Sequence, residues 1–456
     1  MATLSLATWT MKLKWEDVPD AVRKAAQRSL YNYLGCAIVG SNHPTVLKAH
    51  EALKSFFGAA TSTVLGHSGS GLQKIDAQHA ALLNGIASHV HDYDDTHLAT
   101  IIHPTGPVAS AMLAFAQLYG QQISGQQLLL ALIAGIEASC KLGLAVWPSH
   151  YDIGWHITST TGSIGAAVAI AKLAEFSVEQ TAHAIGIAAT QVTGLREMFG
   201  SDTKSFHVGR AAQNGLLAAE MASKGFTSSL QAIEAKRGWA NVVVGPGGKP
   251  QLDRYLSPDS ENGLGRVWEF GRNAFKPFPC GIVCHPAIDA SIQIHREMKE
   301  RSIAVEDIER VNMQVHPLVI ELTSKRKPKD GLEGKFSVFH GAAVGLIYGK
   351  AGPAEYDDNV VKSSAELRDK IDATSSDEIA SDAANVIVHF LDGSKLEKSV
   401  EHAVGSLEVP MTDEQLTEKF VDQSSLVLGK ENALRASELA WSIGEASDVG
   451  DAIEQL

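Results

Sequence analysis

Cysteine, aromatic side chains and positive charge are all scarce in this chain, and each shortage excludes something. Only Cys36, Cys140, Cys280 and Cys284 occur in 456 residues. Four thiols so placed make no disulfide framework, which fits a reducing compartment. Lys and Arg number 39 against 52 Asp and Glu, a formal charge of −13. An acidic surface repels nucleic acid, and no Lys/Arg stripe offsets it, so no nucleic-acid partner is expected. The same charge repels a polyanionic small molecule at long range. Any anion site has to be assembled locally from Lys, Arg and His. No uncharged apolar run reaches the length of about 18 residues that a membrane span needs. The first residues lack the basic start and apolar core of a signal peptide, and the Arg/Ser-rich character of a transit peptide. A cytoplasmic protein without a membrane partner is expected. Also missing are a Gly-x-Ser-x-Gly elbow, a His-Glu-x-x-His helix, a Walker loop and a Gly-rich turn after a strand.

What remains is apolar and small. Hydrophobic residues make up 45% of the chain and aromatics only 6%, with 40 glycines. Alanine and glycine inside apolar stretches let helices approach closely. Helical spacing of apolar residues runs through 20–39, 75–93, 107–119, 125–145, 162–176, 177–193 and 208–224. The segment 125–145 is apolar almost all round, as a central helix is. Near residue 265 the pattern changes. Residues 310–321 alternate as a strand, and 385–391 and 395–400 flank Asp392-Gly393, a hairpin signal. Helical pieces at 289–300 and 336–348 lie between. The expected fold is mainly α: a large helical domain over 1–264, a smaller α+β domain over 265–405, and helices in 406–456 that pack back on the first domain.

Four clusters carry chemistry. His91-Asp-Tyr-Asp-Asp-Thr-His97, with His103-Pro104 after it, follows an apolar helical run. On a continuing helix, Asp92 and Thr96 share a face. Such residues also cap helix ends, but a buried helix rarely ends in so dense a polar group without a partner or ligand. Gly154-Trp155-His156 precedes a row of hydroxyl residues suited to a helix N-terminus, where free N–H groups favour anions. Lys204, His207 and Arg210 are three apart, so one helical face presents all three; a solvated basic face is the plain alternative. Lys276 precedes a rigid Pro-Phe-Pro turn, followed by Cys280, Cys284 and His285. Three candidate ligands without a second cluster fall short of a structural zinc or iron–sulfur site, so no metal is expected.

The motifs His91-Asp-Tyr-Asp-Asp-Thr, His103-Pro104, Gly154-Trp155-His156, Lys204 through Gly209 and Lys276-Pro-Phe-Pro resemble those of the MmgE/PrpD family, in order and at close to its spacing. The resemblance covers about residues 5–440. It implies a helical domain with an α+β lid, a homodimer, and no metal or organic cofactor. By the same resemblance Asp92, His103, His156, Lys204 and Lys276 are catalytic, and Thr96 and His207 bind substrate. The shared chemistry is proton movement at carbon beside a carboxylate, with lysines for the anion and His103 and His156 as acid and base. Dehydration of a citrate-like polycarboxylate ranks first, cis-aconitate-type decarboxylation second and iminodisuccinate-type epimerisation third. Decarboxylation is placed second because the stretch 311–337 holds no Tyr where a family decarboxylase uses one; Leu322 is the nearest equivalent. The remaining alternative is a non-catalytic helical scaffold, in which the polar clusters are caps.

Overall fold

A computed structural model describes residues 1–66, 74–120 and 122–456. Contacts divide the chain into two units. A helical unit comprises Met1–Val90, Asp94–Asn273 and Leu416–Leu456; an α+β unit comprises His91–Tyr93 and Ala274–Gln415. The fold is mainly α, with the smaller unit carrying a four-stranded sheet.

The helical unit is built on α1 (Asp20–Gly40), α2 (Ala77–Val90), α3 (Thr105–Leu118), α4 (Gly125–Val146), α5 (Ile157–Leu173), α6 (Val178–Ala189) and α7 (Asp202–Ser223). Two of them begin with reciprocal caps. Ser124 accepts the Gln127 N–H while Gln127 accepts the Ser124 N–H, and Ser177 and Gln180 do the same. Each pair satisfies two orphan donors of a helix start. Helix α4 is long and apolar enough to cross a bilayer, but 89% of its most apolar window is buried within the protein. Small residues set the spacing around it. A Cβ on Gly165 of α5 would meet the Gly135 carbonyl of α4 at 2.6 Å. On α2 and α7, a Cβ on Gly209 would fall 2.2 Å from the Leu82 carbonyl, and one on Gly85 only 2.5 Å from the Gly209 Cα. These two helices touch backbone to backbone, which only glycine permits at both positions. From the C-terminal segment, Trp441 stacks on Tyr31 of α1 at 3.9 Å, and the Tyr31 hydroxyl meets Ser437 at 2.6 Å.

Several helix limits differ from the sequence expectation. The helix expected over 75–93 stops at Val90, because Asp92 takes a left-handed backbone with φ 53°. Aspartate tolerates that region better than most residues. The shared helical face of Asp92 and Thr96 therefore does not exist. Helix α5 starts at Ile157, earlier than residue 162, with Thr160 and Thr161 folding their hydroxyls back to the Ile157 carbonyl. Helix α7 starts at Asp202, which places Lys204 and His207 in its first two turns.

In the α+β unit, α8 (His285–Glu300) and α10 (Val338–Tyr348) accompany the strands β1 (Ile308–Val315), β2 (Ile371–Ser375), β3 (Ala384–Phe390) and β4 (Lys395–Val400), with the short helix α9 (Pro317–Thr323) following β1. The sheet order is β2-β1-β3-β4; β1 and β2 run parallel and the other pairs antiparallel. Val386, Val388 and Phe390 of β3 face the core in strict alternation. The strand expected through residue 321 ends at Val315. Pro317 starts α9 instead, with His316 Nδ1 accepting the Leu318 N–H at 3.1 Å. The hairpin expected at Asp392-Gly393 is present, with Gly393 at φ 85°.

Candidate active site

In the helical unit the chain leaves α2, makes an irregular loop and enters α3. The loop buries Asp94, Asp95, Thr96, His97 and His103. His103 Nδ1 lies 3.0 Å from the Asp95 carbonyl, 3.2 Å from Thr96 Oγ1 and 3.5 Å from Asp94 Oδ1. A carbonyl only accepts, so Nδ1 carries the hydrogen and the neutral ring keeps its lone pair at Nε2. The His103 backbone N–H donates to Thr158 Oγ1 at 3.1 Å, which ties the loop to α5. Thr96 thus steadies His103 directly.

His156 is the N-cap residue of α5 and His207 lies in α7; their Nδ1 atoms are 3.0 Å apart. One Nδ1 must donate and the other accept. Consequently one ring presents N–H at Nε2 and its neighbour presents a lone pair there. Both rings are buried. Burial, then the nearby His89 and Lys204, pushes His207 down to about 4 and His156 well below its ordinary value. This pair is neutral at physiological pH. Phe199 packs edge-on against His156 at 5.0 Å, and Lys204 Nζ stands 5.2 Å from the same Phe199 ring. Arg210 does not join the group: its guanidinium turns along α7 to Gln213 Oε1 at 2.7 Å. The basic face expected from Lys204, His207 and Arg210 is therefore incomplete.

The low value of His207 has a consequence for stability. The unfolded chain protonates it near 6.5 and the folded chain near 4. Between those values the unfolded state binds more protons, so this contribution is whole above 6.5 and is lost as pH falls toward 4. In urea unfolding, the His207→Gln variant is expected to lose less stability than wild type across that window. Parallel profiles for the two proteins would contradict the neutral-pair assignment.

Two residues here were not singled out from the sequence. His89, the penultimate residue of α2, places Nδ1 2.8 Å from Asp94 Oδ2. Its ring sits edge-on to His103 at 4.7 Å and lies 6.1 Å from His156. Asp94 therefore faces two imidazoles. Asp95 behind it accepts from Thr105 and Asn273, and burial raises its carboxyl to about 7. Asp94 lay within the acidic motif, whereas His89 was hidden in an apolar helical run. His89, Asp94 and His103 offer ligand atoms within 4.8 Å of one another, so a cation could be held there as well as a proton.

In the α+β unit, Lys276 is 2% exposed and its ammonium is fully engaged. It donates to Asp92 Oδ1 at 3.0 Å, the Asp92 carbonyl at 3.2 Å and the Cys280 carbonyl at 3.3 Å. Sequence spacing gave no hint that these two catalytic candidates pair. Tyr93 Oη donates to the Pro277 carbonyl at 2.9 Å, and Lys335 Nζ donates to His91 Nδ1 at 3.5 Å. Burial raises the Cys280 thiol well above its ordinary value, which disfavours the thiolate a metal would need. Among the described residues, then, the helical unit gathers Thr96, His103, His156, Lys204 and His207, and the α+β unit gathers Asp92 and Lys276.

Comparison with known proteins agrees with the motif resemblance. The MmgE/PrpD N-terminal domain matches residues 4–251 and the MmgE/PrpD C-terminal domain matches residues 278–444. The chain is 26% identical to the cis-aconitate decarboxylase-like protein oryM of Aspergillus oryzae, over 98% of this chain and 96% of that protein. It is also 26% identical to the cis-aconitate decarboxylase of Aspergillus terreus, over 100% of this chain and 95% of the relative. The human cis-aconitate decarboxylase is 26% identical over 93% and 88% respectively. With both family domains in sequence order over most of its length, the chain belongs to the MmgE/PrpD family.

Proposed function

We propose that the protein is a cofactor-independent lyase that decarboxylates a cis-aconitate-like unsaturated tricarboxylate. The observation that carries this reading is the buried imidazole set of His103, His156 and His207, with Asp94 as counter-charge and Lys204 nearby. Decarboxylation breaks the bond between carbon and a carboxylate. Carbon dioxide leaves without the electron pair, which spreads toward a neighbouring carboxylate. A proton then closes the carbon. His103 suits acid–base work beside that carbon: Nδ1–H is committed to the Asp95 carbonyl, so the mobile proton sits at Nε2, and Asp94 balances the imidazolium. The neutral His156–His207 pair offers one N–H donor and one acceptor at fixed positions, and Lys204 supplies positive charge for a substrate carboxylate. Asp92 and Lys276 enter this proposal through the family resemblance and their shared burial.

Relatives that carry the cis-aconitate decarboxylase name along nearly the whole chain move this reaction ahead of dehydration. One observation keeps dehydration as the second reading: residues 311–337 contain no Tyr, and half-buried Leu322 on α9 stands near the expected place. The experiment is a mass measurement after incubation with cis-aconitate, citrate and 2-methylcitrate. Release of carbon dioxide from cis-aconitate is the expected result. Water loss from either citrate, with cis-aconitate untouched, would replace this reading by the second.

A further inference from the structure

His89 is 1% exposed, and its Nε2 has no hydrogen-bond partner among the described residues. An unpaired buried nitrogen is destabilising, and folded proteins keep one mainly where the group has something to do. The other face of the ring is fixed. Nδ1 meets the Asp94 carboxylate at 2.8 Å, so Nδ1 is the donor and Nε2 holds the lone pair. The carboxylate is shared, since Asp94 Oδ1 lies 3.5 Å from His103 Nδ1. The two rings meet edge to face at 4.7 Å. His89 therefore combines what an acid–base group needs: a carboxylate behind it, a bare nitrogen in front, and other imidazoles beside it.

We propose that His89 is a further catalytic residue of the helical unit, exchanging a proton between its bare Nε2 and the substrate carbon while Asp94 holds the opposite side of the ring. The assignment rests on the lyase reading above. In decarboxylation the imidazolium gives its Nε2 proton to the carbon that has lost carbon dioxide, the Nε2–H electron pair stays on nitrogen, and solvent restores the proton. In dehydration the direction reverses: the lone pair takes the carbon-bound proton, the carbon–hydrogen pair forms the new double bond, and hydroxide leaves with a proton from a neighbouring acid. Only one proton closes the carbon, so with His89 delivering it the other Asp94-linked imidazole, His103, serves the carboxylate onto which the electron pair spreads.

The test compares wild type with His89→Gln, whose amide N–H can still reach Asp94 but which has no ring nitrogen. Using an acid that wild type turns over, kcat is expected to fall at least about tenfold, with KM and melting temperature little changed. His89→Ala should lose as much and regain part of it in added imidazole, which a structural role would not produce. If His89→Gln does not fold, His89→Asn removes the same ring nitrogen with a shorter amide and should lower kcat in the same way. A kcat within about threefold of wild type, or an equal loss in His89→Ala that imidazole leaves untouched, overturns the assignment. A wild type that turns over none of the three acids overturns the lyase reading itself, which is a separate result. Added divalent metal that restores kcat to chelated wild type would assign these ligands to a cation and overturn the proton role.

Discussion

His103→Asn is expected to lower turnover by about 10²- to 10⁴-fold while leaving the fold intact, the range typical for loss of a positioned acid–base group. The substitution is chosen for what it keeps. The asparagine amide can occupy the place of Nδ1–H and donate to the Asp95 carbonyl, now met at 3.0 Å. The backbone N–H continues to hold Thr158 Oγ1 at 3.1 Å. What disappears is Nε2, the ring nitrogen opposite the one that meets the Asp95 carbonyl. Loss of kcat with KM within a few-fold, beside an unchanged circular dichroism spectrum and melting temperature, separates chemistry from folding. Activity near that of wild type would remove His103 from the proton path and leave His89 as its main imidazole.

The largest effect on stability is expected away from these imidazoles, at Lys141 in the middle of α4. Its side chain is completely buried, and Nζ donates to the Asn262 carbonyl at 2.7 Å and to Glu269 Oε1 at 3.4 Å. Glu269 also accepts from His97 Nε2 at 3.2 Å and from Arg272 at 3.3 Å. Burial pulls the Glu269 carboxyl upward, but His97 and the Lys141 charge outweigh it and hold the group below its ordinary value. One turn earlier, Glu137 accepts the Phe270 N–H at 2.7 Å, and its own carboxyl is raised to about 8 by burial. It therefore adds little negative charge, and Lys141 serves Glu269. Lys141→Met removes the cation and leaves a buried carboxylate under-compensated, at a cost of roughly 3–5 kcal/mol. Adding Glu269→Gln should return much of that loss, because the uncompensated charge goes with it. Urea unfolding of both variants measures the two quantities. A Lys141→Met loss below about 1 kcal/mol would mean that water already reaches the group.

How much of this was legible depended on the distance over which each residue is determined. The helical class, the central place of α4 and the hairpin at Asp392-Gly393 follow from local periodicity and turn chemistry, and all are present. The overlong strand through residue 321 was avoidable, since Pro317 cannot pair in a ladder and begins a helix readily. The end of α2 was harder. Nothing local distinguishes an aspartate that continues a helix from one that turns left-handed, as Asp92 does. His89 sits between Ser88 and Val90 near the end of a core helix, and only the folded loop brings Asp94 back to it. Lys276 and Asp92 are 184 positions apart, so their pairing is a property of the tertiary structure alone. The motif resemblance named both residues without indicating that they neutralise each other.

The glycine seam between α2 and α7 constrains how this protein can change. Gly85 and Gly209 fix the sliding position of two helices that carry His89 and His207 respectively. A single methyl group at either glycine would push one imidazole away from the other. Selection or design for bulkier acids therefore cannot proceed by spreading these helices. It has to act through side chains that can shrink without moving the backbone, such as Phe199 beside His156.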